Sequence, residues 1–195
     1  IGSDGEKVAI AAINGSRSIV ISGETEAIER VVYSLSANEI KTKKLQVSHA
    51  FHSPLMEPMM AEFERVAAQI TYHPPQIEII SNLTGELVTE DIATPQYWVA
   101  HVRQPVKFAQ STETLYRLGY QVFIEIGAKP ILLGMIRSIL NSELLIQTSE
   151  LFLPSLRPRQ EDWQQLLSSL ATLYVNGIKI DWSGCDRDYY RQKLW

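Results

Sequence analysis

The segment KVAIAAINGSRSIVIS, residues Lys7–Ser22, holds two apolar runs separated by a short polar connection. The runs are Lys7–Asn14 and Ser18–Ser22, and both are rich in small and β-branched apolar residues. The dipeptide Asn14-Gly15 between them is typical of a tight turn. Two such runs joined by a short turn predict a β-hairpin. The segment therefore indicates that the chain opens with two adjacent strands.

The residues after the hairpin predict a helix and then a third strand. Ser22 is a candidate N-terminal cap, and Glu24 and Glu26 place acidic side chains in the first turn, where they oppose the helix dipole. Apolar residues follow at helical spacing, at Ile28, Val31, Val32 and Leu35. Thr42–Val47 then predicts a strand. This order is that of a ferredoxin-like unit without its first strand and helix, so residues 1–47 predict an incomplete ferredoxin-like small subdomain.

The middle of the chain, residues 48–148, alternates helices with strands. A loop at Ser48–Ser53 leads into a predicted helix at Pro54–Ile70, because proline suits a first helical turn. The further predicted elements are a strand at Ile77–Ser81, helices at Pro95–Val102 and Pro105–Leu118, a strand at Val122–Ile126 and a helix at Ile131–Leu140. The longer of the two middle helices is predicted to turn Phe108, Thr112, Leu115 and Tyr116 inward. This alternation favours an α/β fold with a parallel sheet.

The last stretch, residues 149–195, begins with an extended segment at Leu153–Pro158, because its prolines disfavour a helix. A helix is predicted at Gln160–Asn176, closed by Gly177 at the C-terminal cap. Its apolar stripe consists of Trp163, Leu166, Leu167, Leu170 and Tyr174. The aromatic residues that follow are expected to pack on a neighbouring domain; they are Trp182, Tyr189, Tyr190 and Trp195.

Composition excludes several classes of partner. The net charge is −4 and no long run of Lys or Arg occurs, so neither a nucleic acid nor a membrane surface is indicated. No apolar stretch approaches the roughly 20 residues that a bilayer span needs. Cys185 is the only cysteine, which precludes an internal disulfide and fits a reducing cytoplasm. The chain has no initiator Met, so we expect it to start inside a longer reading frame.

Two neighbouring histidines, His49 and His52, are the strongest candidates for chemistry. They lie in the loop before a predicted helix, where catalytic residues are common. A metal site would need further ligands at suitable spacing, and none completes a set. The residues alone leave two interpretations open: histidines without a role, or a general base. A base needs a nucleophile, yet no serine here stands in a Gly-x-Ser-x-Gly turn.

The segment VSHAFHSPLMEPM, Val47–Met59, resembles the active-site histidine segment of polyketide synthase acyltransferase domains. Other segments agree with that family in order and spacing. They are Ala12–Gly15 with Ile19–Gly23, Ser81–Gly85 (SNLTG), Tyr97-Trp98 with His101–Phe108 (HVRQPVKF), Phe123–Gly127 with Pro130, Leu153–Leu156, and Asp181-Trp182. The resemblance covers essentially the whole chain. It identifies the C-terminal portion of an acyltransferase domain of a type I modular polyketide synthase, followed by its linker.

This resemblance implies a fold and a catalytic dyad. The fold would be the C-terminal part of an α/β-hydrolase-like acyltransferase core over residues 48–148, with the small subdomain at 1–47 and a post-acyltransferase linker at 149–195. The family uses a Ser-His dyad, and His52 corresponds to its histidine. A backbone carbonyl corresponding to that of His101 would hold the tautomer of His52. The His101 side chain is then expected to have no chemical role, and His73 is expected at the surface.

The resemblance also implies a substrate and partners. His49, Ala50 and Phe51 precede the dyad histidine and are the expected substrate-binding residues. The sequence His-Ala-Phe-His is similar to that of malonyl-selective members, whereas methylmalonyl-selective members more often show Tyr-Ala-Ser-His. Malonyl-CoA would be the substrate, and no cofactor or metal is expected beyond the phosphopantetheine of a partner acyl carrier protein. Further expected partners are a ketosynthase domain and the missing N-terminal half of the acyltransferase. That half would hold the nucleophilic serine, so the chain alone is expected to be inactive. The alternative function is a non-catalytic linker that docks the acyltransferase against the ketosynthase.

Overall fold

A computed structural model describes residues 7–142 and 150–184, and these fall into two compact units. The first holds residues 7–120 and 135–142, and the second holds 121–134 and 150–184. Strands β1 (Val8–Gly15) and β2 (Ser18–Gly23) pair antiparallel at the start of the first unit. The predicted hairpin is therefore confirmed, but its turn lies at Ser16-Arg17, whereas the predicted turn dipeptide Asn14-Gly15 forms the end of β1. Its buried residues include Val8 and Ala11.

The other edge of β1 holds a segment from much later in the chain. Ala12 forms a parallel bridge with Val106. The Ile13 amide donates to the Val106 carbonyl at 2.8 Å, and the Val106 amide donates to the Ala11 carbonyl at 2.9 Å. Because backbone pairs of this kind fix both direction and register, the hairpin positions the chain just after residue 104.

Helix α1 (Thr25–Ala37) begins later than the predicted cap. Ser22 lies inside β2, and the cap position belongs to Glu24, whose side chain makes no capping hydrogen bond. The Glu24 amide instead donates to the Lys7 carbonyl, and its carboxylate pairs with the Lys7 ammonium at 3.0 Å. The predicted serine cap is thus wrong, since strand pairing extends through Ser22, which is paired with Ala9.

Two predicted strands are not formed. Thr42–Val47 is irregular and exposed, and Leu45 and Val47 are 50% and 71% accessible to solvent. Apolar residues alternate there, but no described strand pairs with them, so the backbone has no ladder to join. At Ile77–Ser81, only an isolated antiparallel bridge occurs, between Ile80 and Leu87. It closes the turn in which the Gly85 amide donates to the Ser81 carbonyl.

The next helices follow the predicted positions, with ends that differ by a few residues. The predicted helix at Pro54–Ile70 is a 3-10 turn at Pro54–Met56 followed by α2 (Glu57–Ala67). A second 3-10 turn, Glu90–Ala93, precedes α3 (Pro95–Arg103), and α4 spans Phe108–Arg117. The Thr94 hydroxyl accepts from the Tyr97 amide and caps α3. Helix α5 covers Ile131–Ser142.

The second unit contains a pair of parallel strands, of which only the first, predicted at Val122–Ile126, was expected as a strand. Strand β3 (Val122–Glu125) runs parallel to β4 (Leu151–Pro154), with Phe123 opposite Phe152. Their rings stack at a centroid distance of 5.5 Å. Helix α6 (Asp162–Val175) follows, and a last 3-10 turn spans Trp182–Gly184. Mixed α/β content with a parallel strand pair is therefore confirmed.

Helix α6 buries a different face from the predicted one. Its buried residues are Gln165, Ser169 and Leu173, whereas Trp163 and Tyr174 of the predicted stripe are more than half exposed. The Gln165 amide and the Ser169 hydroxyl both donate to the Pro154 carbonyl, at 3.2 and 2.7 Å. The polar face lies against the end of β4 because it satisfies a backbone acceptor there. Tyr189, Tyr190 and Trp195 of the predicted aromatic tail lie outside the described residues.

Helix α4 also buries a more polar face than the predicted one. Its buried residues are Ala109, Ser111, Thr112 and Thr114, whereas Phe108, Leu115 and Tyr116 are only half-buried. The Thr114 hydroxyl donates to the Gly85 carbonyl at 2.7 Å. The hydroxyls of Ser111 and Thr112 donate to backbone carbonyls one turn earlier, so their burial leaves no polar group unpaired.

Glu125, at the end of β3, caps helix α5. Its carboxylate accepts hydrogen bonds from the amides of Ile131, Leu132 and Leu133, at 3.0, 3.1 and 2.9 Å. These amides have no partners within the helix, and a negative charge at a helix N-terminus also opposes the helix dipole. Glu125 therefore accepts hydrogen bonds from three N-terminal amides of α5 with a single side chain. The sequence analysis placed this residue in a family motif but assigned it no role.

Candidate active site

His52 lies in a loop that is bound to the end of α3. Its backbone has a φ of 62°, in the left-handed region that non-glycine residues seldom adopt. The His52 amide donates to the Val102 carbonyl at 2.9 Å, and this bond helps to hold the loop in that conformation. A strained backbone of this kind persists only where the surroundings enforce it, and it is frequent at functional sites.

The ring of His52 is oriented by a backbone carbonyl. Its Nδ1 lies 2.7 Å from the carbonyl oxygen of Gln104. A carbonyl can only accept a hydrogen bond, so Nδ1 carries a proton, and in the neutral form of the ring the free lone pair lies on Nε2. Within the part of the chain that the structure describes, this is the only hydrogen bond of the ring. In this orientation, Nε2 is the ring nitrogen that can act as a proton acceptor.

The orienting carbonyl belongs to Gln104 and not to His101, which corrects the sequence-based assignment. Gln104 is the residue at which α3 ends, and its ψ of 157° is extended. The chain therefore turns away from the helix at Gln104, and the carbonyl points to the loop of His52. The position of His101 one turn earlier on the helix brings its ring, rather than its carbonyl, next to His52.

Ser53 stabilises the loop that contains His52, and the sequence analysis did not single it out. It is fully buried; its hydroxyl donates to the Ala50 carbonyl at 2.6 Å and accepts from the Leu55 amide at 3.3 Å. It thus closes the turn that contains His52 and caps the 3-10 turn at Pro54–Met56. A signal was available, since a serine directly before a proline is typical of a helix start.

Helix α3 is itself anchored at two points. The hydroxyls of Ser81 and Tyr97, both buried, share a hydrogen bond of 2.7 Å. At the other end, the Arg103 Nε donates to the Glu57 carboxylate of α2 at 2.9 Å. These contacts fix the helix whose end carries both Val102 and Gln104. The position of the imidazole of His52 is therefore determined by α3 as much as by its own loop.

The ring of His101 lies in a cluster of aromatic side chains. It stacks on Tyr97 with an interplanar angle of 18° and meets Trp98 edge-on at a centroid distance of 5.9 Å. It also meets the ring of His52 at 5.9 Å, almost perpendicular to it. Burial, and secondarily the charge that His52 can carry, lower the pKa of His101 below its usual value. His101 is therefore neutral at physiological pH.

The three residues before His52 form the outer side of the loop. Phe51 is 48% exposed, and its ring lies 6.0 Å from that of His49 in an edge-on arrangement. The His49 Nδ1 shares a hydrogen bond with the Ser48 hydroxyl, and Ala50 is half-buried. Their assignment to substrate binding stays a prediction, because no described contact tests it. His73 is exposed, as predicted.

A cavity of about 250 Å³ lies between α2 and α3, beside the site but not in it. It is lined by Met60, Glu64, Gln96, Val99, Ala100, Arg103 and Gln104. His52 is not among the residues that line it. Among residues 7–142 and 150–184, no helix is long and apolar enough to span a bilayer, and no cluster of potential metal ligands occurs.

Comparison with known proteins relates this geometry to one family. The sequence profile of the acyl transferase domain matches residues 3–180. Polyketide synthase GfsB of Streptomyces halstedii is 39% identical over 180 residues, which are 91% of this chain and 3% of that protein. The phenolphthiocerol synthesis polyketide synthase type I Pks15/1 of Mycobacterium bovis is 42% identical, over 92% of this chain and 8% of that protein.

Solved structures show the same relationship. The acyltransferase domain from the second module of the salinomycin polyketide synthase is 37% identical with a TM-score of 0.84, over 96% of this chain and 44% of that one. The structure of MCAT from Streptococcus pneumoniae is 30% identical with a TM-score of 0.70, over 85% of this chain and 50% of that one. The chain thus spans about half of these structures and a small part of the curated relatives. The alternative of a docking element alone is not favoured.

Proposed function

On the premise that this chain belongs to the acyl transferase domain family of type I polyketide synthases, we propose that it forms part of a malonyl-CoA:acyl carrier protein transacylase, in which His52 is the general base. The observation that carries the proposal is the hydrogen bond between His52 Nδ1 and the Gln104 carbonyl. It determines which ring nitrogen is free, and therefore which one can accept a proton.

The proposed reaction has two transfers of the acyl group. In the first, His52 Nε2 takes the proton of a serine hydroxyl while the oxygen attacks the thioester carbonyl of malonyl-CoA. The tetrahedral intermediate then expels the CoA thiolate, which receives the proton from the imidazolium. In the second, Nε2 takes the proton of the phosphopantetheine thiol of the carrier protein, and the thiolate attacks the acyl-serine. The proton finally returns to the serine oxygen.

The Gln104 carbonyl supports this cycle in two ways. It holds the ring so that Nε2 keeps one direction through both transfers, which lowers the entropic cost of the reaction. It also accepts from the Nδ1–H of the imidazolium, which is a stronger donor than the neutral ring, and so it stabilises the charge that forms during attack. The arrangement needs neither a metal nor a resident cofactor.

The serine is proposed to come from polypeptide outside this chain. We assign residues 48–148 to the C-terminal part of an α/β-hydrolase-like acyltransferase core, 1–47 to an incomplete ferredoxin-like small subdomain, and 149–195 to the linker that follows. The partners would be the N-terminal half of the domain, the acyl carrier protein and a ketosynthase domain. We place the reaction in the cytoplasm, in keeping with a chain whose single cysteine precludes an internal disulfide.

The chain by itself is expected to transfer no malonyl group, because a base without its nucleophile has nothing to deprotonate. The measurement is radiolabelled malonyl transfer to a carrier protein by the 195-residue chain, compared with the complete domain that contains it. The complete domain is the positive control. Transfer by the chain alone at a rate near that of the complete domain would contradict the division of the dyad between two polypeptide segments.

The complete domain is expected to prefer malonyl-CoA over methylmalonyl-CoA, because we propose that the Phe51 ring would fill the space that an α-methyl group needs. Phe51→Ser should reduce the ratio of kcat/KM for the two substrates by roughly ten-fold, the usual scale for one methyl group in an apolar pocket. Tyr33→Ser is the matched control, since Tyr33 is an exposed aromatic residue on α1. An unchanged ratio in the Phe51 variant would show that this residue packs without selecting the substrate.

A further inference from the structure

The side chain of His101 has no part in the proposed reaction, yet it is one of the closest ring neighbours of the base. Its ring lies 5.9 Å from that of His52 at an interplanar angle of 84°. The Gln104 carbonyl accepts a hydrogen bond from Nδ1 of His52. The ring of His101 makes a second contact with the His52 ring, without a hydrogen bond. A single hydrogen bond permits the imidazole of His52 to rotate about that bond. A second ring packed beside it restricts this rotation.

The ring of His101 is held in place by its own helix. Tyr97 stacks on it at a centroid distance of 6.1 Å, and Trp98 meets it edge-on. Tyr97 is buried and tied through its hydroxyl to Ser81, and the Trp98 Nε1 donates to the Ile92 carbonyl at 2.9 Å. Both neighbours of His101 are therefore held by hydrogen bonds at the ends of their side chains, and together they restrict the position of the His101 ring.

From this arrangement we infer that His101 is a positioning residue: its ring, held by Tyr97 and Trp98, keeps the imidazole of His52 aligned with the Gln104 carbonyl. The inference rests on the proposed function, because it concerns the base of that reaction. It assigns a role to the His101 side chain, which the sequence analysis left without one. In this role His101 acts through His52, whose ring it contacts.

The charge of the His101 ring matters for the base as well. A cation at 101 would repel the imidazolium that His52 becomes during attack, and this would weaken the base. Burial lowers the pKa of His101, and the charge of His52 lowers it further. The other ionisable groups on elements that contact α3 are Glu57, Glu62, Glu64 and Arg65 on α2, and Glu90 and Asp91 on the turn before α3. Of these, Glu57 is paired with Arg103 of α3.

The test compares His101→Ala with His101→Phe in the complete acyltransferase domain. Alanine removes the ring at position 101, and phenylalanine keeps an aromatic ring that cannot ionise. We expect His101→Ala to lower kcat for malonyl transfer by roughly ten-fold with KM for malonyl-CoA nearly unchanged, because misalignment of a base costs rate rather than binding. His101→Phe should stay within about three-fold of the wild type on the same grounds. The acid limb of its pH profile should stay close to that of the wild type, since burial and the charge of His52 both lower the pKa of His101.

Each result bears on the inference. A wild-type kcat in His101→Ala, or an equal loss in both variants, overturns the role of the ring. A displaced acid limb in His101→Phe overturns its neutrality. If the alanine variant melts early, His101→Gln replaces it, because glutamine has similar length but no ring and is expected to lose as much kcat. Activity that survives His52→Ala would instead sink the proposed function, so the two failures are distinguishable.

Discussion

Replacing His52 with alanine in the complete acyltransferase domain is expected to reduce malonyl transfer by about three to four orders of magnitude, the scale on which removal of a general base acts. The loss should appear in kcat for loading of the serine, because the serine hydroxyl keeps its proton and is a weak nucleophile. Binding of malonyl-CoA should change little, since the base acts on the attacking group. Single-turnover measurement of acyl-enzyme formation checks the prediction directly.

His73→Ala is the matched control for this variant. His73 is exposed in the chain and lies outside the loop of His52. Its replacement should leave both transfer and thermal melting unchanged. Both variants should melt with the wild type, because the loop conformation depends on backbone bonds and on the buried Ser53. A domain that loads malonyl at the wild-type rate without His52 would refute the assignment of the base.

The second large effect is expected on stability, from Glu125→Ala. The carboxylate of Glu125 caps three amides at the start of α5, and alanine would leave them to water alone. We expect the free energy of unfolding of the complete domain to fall by about 1–2 kcal/mol, as for a lost helix cap with a charged acceptor. Urea denaturation, followed by far-ultraviolet circular dichroism, measures the change.

Two further variants separate capping from a general effect of charge. Glu125→Gln keeps one oxygen acceptor and the shape of the side chain, so it should lose roughly half as much stability as alanine. Glu29→Ala removes an exposed carboxylate from α1 and should have little effect. In all three variants, kcat of the folded domain should stay at the wild-type value, since neither Glu125 nor Glu29 takes part in the hydrogen bonds that orient His52. An alanine variant as stable as Glu29→Ala would show that water replaces the cap at no cost.

Much of the fold could be predicted because it follows from local patterns. The hairpin at β1 and β2 was predictable from two β-branched runs joined by a short connection, although its turn lies at Ser16-Arg17 and not at Asn14-Gly15. Helix α3 was predicted within one residue of its observed end, because its first turn carries Thr94 and Pro95. The loop segment of His52 was recognisable from its resemblance to one family. In each of these cases, neighbours in sequence are also neighbours in space.

Elements whose state depends on distant partners could not be predicted in the same way. Thr42–Val47 has the alternation of a strand, but a strand forms only where another backbone supplies its hydrogen bonds. The buried face of α6 is polar because the Pro154 carbonyl, more than ten residues earlier, offers an acceptor to two of its side chains. Apolar periodicity cannot indicate such a partner, because it reports on hydrophobicity alone.

The sequence by itself determined the family resemblance, the order of most elements, and His52 as the histidine of the site. Only the tertiary structure decided that the Gln104 carbonyl, 52 residues later in the chain, orients the ring, and that the side chain of His101 stands beside it. The physical reason is that a backbone carbonyl is present at every residue, so no residue type marks the one in use. Its direction depends on where α3 ends and on how Val106 pairs with β1, and both are products of the folded chain.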